Sequence, residues 1–123
     1  MNNLRSLIDP KTFVITRKQL ARYLKIDPKR IWNWEKWQDV LWVHIQGRGG
    51  FFISYRQLAR WVAACCYVIR RCRNSFSLQE VWSAFLREEN RYLDEGIAKI
   101  REVHQKKELC LNLWFIELSK IVF

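Results

Sequence analysis

Thr16-Arg17-Lys18-Gln19-Leu20-Ala21-Arg22-Tyr23-Leu24-Lys25-Ile26-Asp27-Pro28-Lys29-Arg30-Ile31-Trp32-Asn33-Trp34-Glu35 is the stretch whose reading decides the fold. Thr16 is a good N-cap, and Leu20, Tyr23 and Leu24 share one face of the helix it would start. Asp27 repeats the cap signal, and Pro28 suits a first helical position, where a missing N–H costs nothing. A second helix is therefore expected from there, with Ile31, Trp34 and Trp37 turned inward and Lys29, Arg30, Trp32, Asn33 and Lys36 on its other faces. Ala21 is small where two such helices would approach, and Leu20, Leu24, Ile26, Ile31 and Trp34 flank it, which makes the pair a helix-turn-helix candidate. Lys25 stands at a turn position that often carries Gly for its positive φ; another residue is tolerated there at modest cost. An ordinary helical hairpin with a solvated basic face is the alternative.

Beyond this pair the pattern changes. Val40 to Ile45 is a β-branched and aromatic run, Gly47-Arg48-Gly49-Gly50 is a flexible turn, and Phe51, Phe52 and Ile53 form a second run, so a β-hairpin tipped by an arginine is expected. The Lys and Ser/Thr of a phosphate-cradling P-loop are absent from those glycines. Ser54 can cap a helix through Tyr55, Arg56, Leu58, Ala59, Trp61 and Val62 towards Cys72. Helix, turn, helix, hairpin, helix is the order of a winged helix-turn-helix, a mainly α fold with a small β wing, expected over residues 13–73.

The remainder, 74–123, reads as a helical dimerisation region. Ser77 and Glu80 form a capping-box pattern ahead of a helix from Leu78 to about Lys107, whose apolar positions include Val81, Trp82, Phe85, Leu93, Ile97 and Ile100. Gly96 weakens a helix interior and marks a break or a close helix crossing. The tail from Leu109 to Phe123 is too apolar to stand exposed, and its spacing fits strand and helix alike. It packs within the chain or forms a dimer seam, and the second fits a short chain with little surface on which to hide it.

Charge divides the chain at the same place. Of the 123 residues, the first 73 hold 15 Lys and Arg against 4 Asp and Glu, whereas the rest hold 7 against 8. The basic part calls for a polyanion, and the balanced part for something else, most simply self-association. Length excludes a two-domain enzyme. No apolar run approaches a membrane span, and residues 1 to 11 lack the layout of a secretion signal, so a cytoplasmic, nucleoid-associated protein without membrane contact is expected. Cys65, Cys66, Cys72 and Cys110 have neither metal-ligand spacing nor disulfide-scaffold density; they read as reduced, small core residues, with no metal and no cofactor.

Three stretches resemble MerR-type transcriptional regulators: Ile15 to Ala21 with Ile26 to Glu35, Gly49 to Ser54 followed by Leu58, and Ser75 to Val81. They are similar, respectively, to that family's first two helices, its wing, and the opening of its next helix. The resemblance covers roughly residues 13–86 and implies a winged helix-turn-helix, duplex DNA as ligand and an antiparallel dimer helix. In size and layout the chain is also similar to the small MerR-like repressors associated with type V-K CRISPR-associated transposons. It departs at the wing, where Phe51 and Ile53 fall at the family's phosphate-contacting Arg and Tyr, so Arg48 and Arg56 would replace them. There is no room for an effector domain, and Cys65, Cys66 and Cys72 precede the position of the family's metal ligands.

The function expected is sequence-specific binding of promoter or operator DNA by a homodimeric repressor, with no small-molecule effector evident. Lys29, Arg30, Trp32, Asn33 and Lys36 are the groove-facing candidates; Arg17, Lys18, Arg48, Arg56 and Arg60 are the phosphate candidates. Trp82, Phe85, Leu93, Ile97, Ile100, Leu109, Leu113, Trp114 and Ile116 are expected at the dimer interface. An enzyme is the poorest reading, since neither His44 nor His104 connects to a catalytic motif. An architectural or excisionase-like factor could use the same unit. Seven Trp and many Arg could instead stack unpaired bases, although most of the tryptophans fit core positions, Trp32 excepted.

Overall fold

The computed structural model describes residues 7–37 and 39–122, with side chains described as far as residue 113. Helix α1 (Arg17–Leu24) starts as its cap dictates, the Thr16 hydroxyl accepting from the Gln19 N–H. It stops at Lys25, which takes the left-handed conformation at φ 58° and returns its N–H to the Ala21 carbonyl. The conformation usually given to Gly is thus carried here by a lysine.

The second helix of the expected pair does not form. Asp27 does cap a turn, its carboxylate accepting from the Lys29 N–H, but that turn is a single 3₁₀ turn at Pro28–Arg30, followed at once by strand β1 (Ile31–Lys36). β1 pairs antiparallel with β2 (Leu41–Ile45), which pairs antiparallel with β3 (Gly49–Ile53), giving the order β1-β2-β3. The reason lies in the register. Ile31 pairs with Ile45 and Asn33 with His44, so one extra residue, Trp32, sits in a bulge between them. A bulge advances the alternation by one position. Ile31 and Trp34 therefore both face inward, three residues apart, with the same spacing a helix would need. β-Branched and aromatic side chains then favour the ladder that β2 offers.

The β2–β3 hairpin forms where its glycines lie, Gly47 at φ 81° and Gly49 at φ 77°, values that L side chains rarely adopt. Ser54 caps, but only a 3₁₀ turn at Tyr55–Gln57; Leu58 is extended, and α2 (Ala59–Arg70) begins after it. The expected continuous helix from Leu78 is two helices. α3 (Ser75–Glu88) is capped by Asn74, whose side chain accepts from the Ser77 N–H, rather than by Ser77. A 3₁₀ turn at Glu89–Arg91 then returns the chain, with Tyr92 buried, into α4 (Asp94–Val122). Gly96 lies just past this break at a close crossing, since a Cβ there would stand 3.0 Å from Val62 Cγ2 of α2. The tail is helical: α4 continues through residue 122.

One core runs from the sheet into the helices. Leu41, Val43 and Ile45 supply the inner sheet face, α2 supplies Trp61, Cys65 and Ile69, and Leu78, Phe85, Ile100 and Val103 close it from α3 and α4. Trp61 is wedged between Phe13 and Tyr55, ring centroids 4.9 and 5.0 Å away. Two ionised groups lie inside. Arg56 Nε donates to Glu88 Oε2 at 2.8 Å, Tyr92 donates to Glu88 Oε1 at 2.8 Å, and Trp61 Nε1 donates to the Tyr92 oxygen at 2.8 Å. Burial opposes charge on Arg56, but the adjacent Glu88 carboxylate more than offsets it and holds the guanidinium protonated. Burial also pushes the Cys65 thiol up to about 12 and the Tyr92 hydroxyl above its ordinary range. Among the described residues no helix is long and apolar enough to cross a membrane, and no cluster of potential metal ligands occurs.

Candidate nucleic-acid interface

Alternation in β2 sends Leu41, Val43 and Ile45 inward and therefore Trp42 and His44 outward. Pairing extends that outer face sideways, placing Phe52 and Gly50 of β3 on one flank and Asn33 and Glu35 of β1 on the other. The bulged Trp32 joins them, its ring meeting His44 edge-on at 5.0 Å, while Trp42 lies 5.8 Å from His44 on the other side. Beyond the strand end, Trp37 packs on Phe52 at 4.8 Å. Trp32, Trp37 and Phe52 are each about half exposed, at 54, 47 and 53%.

Gly50 explains how Trp42 is seated. A Cβ on Gly50 would stand 2.6 Å from Trp42 Nε1, so the indole lies down across β3 and only a residue without a side chain permits it. The result is a solvent-facing aromatic platform across three strands. Its rim at the hairpin tip is basic: Arg30 Nη2 donates to the Gln46 carbonyl at 3.1 Å, bringing that guanidinium beside the turn that carries exposed Arg48. Lys29, exposed on the preceding 3₁₀ turn, adds a third cation at this end.

The groove-facing candidates are therefore only partly gathered. Lys29, Arg30 and Trp32 lie at this face or its rim, but on a turn and a strand rather than on a recognition helix. Asn33 is exposed with its Oδ1 accepting from the Trp34 N–H at 2.9 Å. Lys36 is held at the strand end, donating to the Phe13 carbonyl at 2.7 Å.

The phosphate candidates are scattered. Arg17 lies over the Trp34 ring at 5.3 Å and donates to the Ile31 carbonyl, fastening α1 to β1. Arg56 is 2% exposed and consumed by Glu88, so it cannot meet a phosphate; the capping pattern of Ser54 shows only that its neighbour starts a turn, not that the turn faces inward. Lys18, Arg48 and Arg60 are exposed.

The expected dimer positions divide likewise. Phe85 and Ile100 are wholly buried in the chain's own core and so cannot face a second copy. Trp82 stacks on His104 at 3.9 Å and on Phe85 at 5.0 Å, and Ile97 packs on the core. Leu93, Leu109 and Leu113 are exposed at 43, 61 and 53%, whereas the side chains of Trp114 and Ile116 lie outside the described residues. Trp37, expected to turn inward on a helix, is instead 47% exposed beyond the end of β1, and Trp42, His44 and Phe52 were read only as members of strand runs and not as site residues. The strict alternation Leu41-Trp42-Val43-His44-Ile45 already carried the signal for two of them. Comparison of the chain with protein-family models, curated proteins and solved structures returned no match to any of them.

Proposed function

We propose that this protein binds nucleic acid through the outer face of its three-stranded sheet, and that unpaired strands are its preferred form. One observation carries the reading: Trp32, His44 and Trp42 form a solvent-facing aromatic row, with the indole of Trp42 laid flat over Gly50. Every base has a π-face, and stacking on an aromatic side chain contributes about 1–3 kcal/mol per base without requiring a particular sequence. Splayed bases would rest on Trp42, Trp32 and the Trp37–Phe52 pair, while Arg30, Arg48 and Lys29 at the tip meet phosphates. In a duplex the bases are stacked on one another, so their faces are not free to rest on such a platform.

Sequence-specific repression by a homodimer on duplex DNA is the second reading. The exposed Leu109 and Leu113 on the far part of α4 favour it, as apolar positions that a second copy could cover. Of a winged helix-turn-helix this reading retains α1, the hairpin and α2, with β1 in place of the recognition helix, so base contacts would come from the hairpin and its Arg48.

Fluorescence anisotropy with a labelled single strand, its complement and the duplex at two salt concentrations separates the two. Tighter binding of the single strands, with tryptophan quenching and loss in a Trp32→Ala, Trp42→Ala double variant, is the expected outcome. Preference for one duplex sequence, undiminished in that variant, would give the function to the repressor reading.

A further inference from the structure

A second basic feature lies away from the sheet. Lys18 and Arg22 of α1, Arg60 of α2 and Lys99 of α4 line a single cleft of about 790 Å³, with Glu95 as the one carboxylate among its lining residues. None of these four cations makes an ion pair or a side-chain hydrogen bond with a described residue. Four unneutralised cations repel one another around a shared hollow, an arrangement that an anion would stabilise. Leu58, Val62 and Leu93 are apolar residues of the same lining.

Two buried polar atoms lie in the walls of the cleft. Among the described residues, Gln19 Oε1 and Arg56 Nη1 are the buried side-chain atoms without a hydrogen-bond partner, and both belong to side chains lining this cleft. Arg56 is 2% exposed, and its Nη1 lies 3.6 Å from Asp39 Oδ1. The first turn of α2 opens there too: Leu58 stands at its N-cap and supplies no side-chain acceptor to the N–H groups of that turn.

We propose that this cleft binds a small phosphorylated ligand of mononucleotide size. Its phosphate sits among Arg22, Arg60, Lys18 and Lys99, and its ring lies against Leu58, Val62 and Leu93 within reach of the Gln19 carboxamide. The volume falls in the range of small-molecule sites, and a mixed lining of cations and apolar side chains fits a ligand with one charged and one flat apolar end. The site is independent of the aromatic face, so it would let a metabolite act on a nucleic-acid-binding protein without competing for the same surface.

Isothermal titration calorimetry on the full chain tests this with AMP and UMP as probes, and adenosine and inorganic phosphate as their parts. At least one nucleotide should saturate the protein, with each part weaker by about tenfold or more. An Arg22→Ala, Arg60→Ala double variant, and separately Lys99→Ala, should weaken the nucleotide by about tenfold or more, the scale of one lost charge-assisted hydrogen bond, with melting unchanged. Trp42→Ala should leave it alone. Absence of saturation by either nucleotide, or equal affinity in the double variant, would overturn the proposal. Displacement of the nucleotide by a short oligonucleotide, persisting in Trp42→Ala, would also overturn it and assign the cleft to strand backbone.

Discussion

The two faces of one small sheet spend the same kinds of residue in opposite ways. On the inner face Leu41, Val43 and Ile45 are completely buried, and behind them Trp61 is sealed between Phe13 and Tyr55. On the outer face, one residue along, Trp42 and His44 are half-buried and Phe52 and the bulged Trp32 exposed. Burying apolar area stabilises at roughly 25 cal/mol per Å², so aromatic rings left outside forgo stability that the same rings would contribute inside. That outward row is the surface the proposed nucleic-acid ligand would use. The interior, by contrast, tolerates even an ion pair, because Arg56 Nε, the Glu88 carboxylate, the Tyr92 hydroxyl and Trp61 Nε1 are linked in a chain of 2.8 Å hydrogen bonds.

The sharpest way to break the contrast is to remove a member of the buried network. Glu88→Ala leaves the Arg56 charge buried, with only Asp39 at 3.6 Å to offset it, and should cost about 3–5 kcal/mol in urea denaturation. The aromatic platform would be untouched in the molecules that remain folded. Next in size is a matched pair from neighbouring positions. Leu41→Ala should destabilise by about 2–5 kcal/mol while changing oligonucleotide affinity little, and Trp42→Ala should do the reverse, losing about 1–3 kcal/mol of binding at nearly unchanged stability. Parallel denaturation and anisotropy titrations check both. Equal loss of stability in the two would mean that the outer face is part of the core.

Gly50→Ala is subtler. The added methyl collides with the Trp42 indole, so the ring must lift from β3, and single-strand affinity should fall by about 1 kcal/mol while Gly49→Ala changes stability rather than binding. Gly49 has open space around it and fails for a different reason, its φ of 77°.

The smallest effect concerns two histidines, each against a tryptophan. His44 meets Trp32 edge-on at the surface, whereas His104 stacks flat on Trp82 at 3.9 Å and is 12% exposed. Burial holds the His104 imidazole below its ordinary value, with Arg101 adding to this and Glu108 opposing it. A base depressed in the folded state takes its proton first in the unfolded chain. The associated stability is therefore intact above the ordinary histidine value of about 6.5 and declines as pH falls through it. Denaturation midpoints at about pH 7.5 and about pH 5.5 should differ less in His104→Gln than in the parent.

Several elements were legible because their signals are local. Thr16 begins α1, Lys25 ends it, and the Gly47–Gly50 turn makes the hairpin, each through a side chain or φ value that needs no distant partner. Other signals were ambiguous in kind. Ser77 and Glu80 match a capping box, yet Asn74 three residues earlier caps instead, since a cap is chosen by where the helix can pack and not by pattern alone. Nothing local marks Glu89–Arg91 as a break; it exists because Tyr92 must turn back to reach Glu88 and Trp61.

The residues alone determined the basic character of the first 73 positions, the hairpin between two apolar runs, and the presence of helices after it, all of them sums of short-range preferences. Only the tertiary structure decided between helix and strand for Ile31–Lys36. Ile31 and Trp34 sit on one side under either reading, and the choice depended on the free edge of β2, more than ten residues from Ile31 along the chain, being there to receive a bulged partner. That one decision removed a recognition helix and moved Trp32 onto an outward row with His44 and Trp42, so the candidate site is a property of the pairing and not of the peptide that carries it.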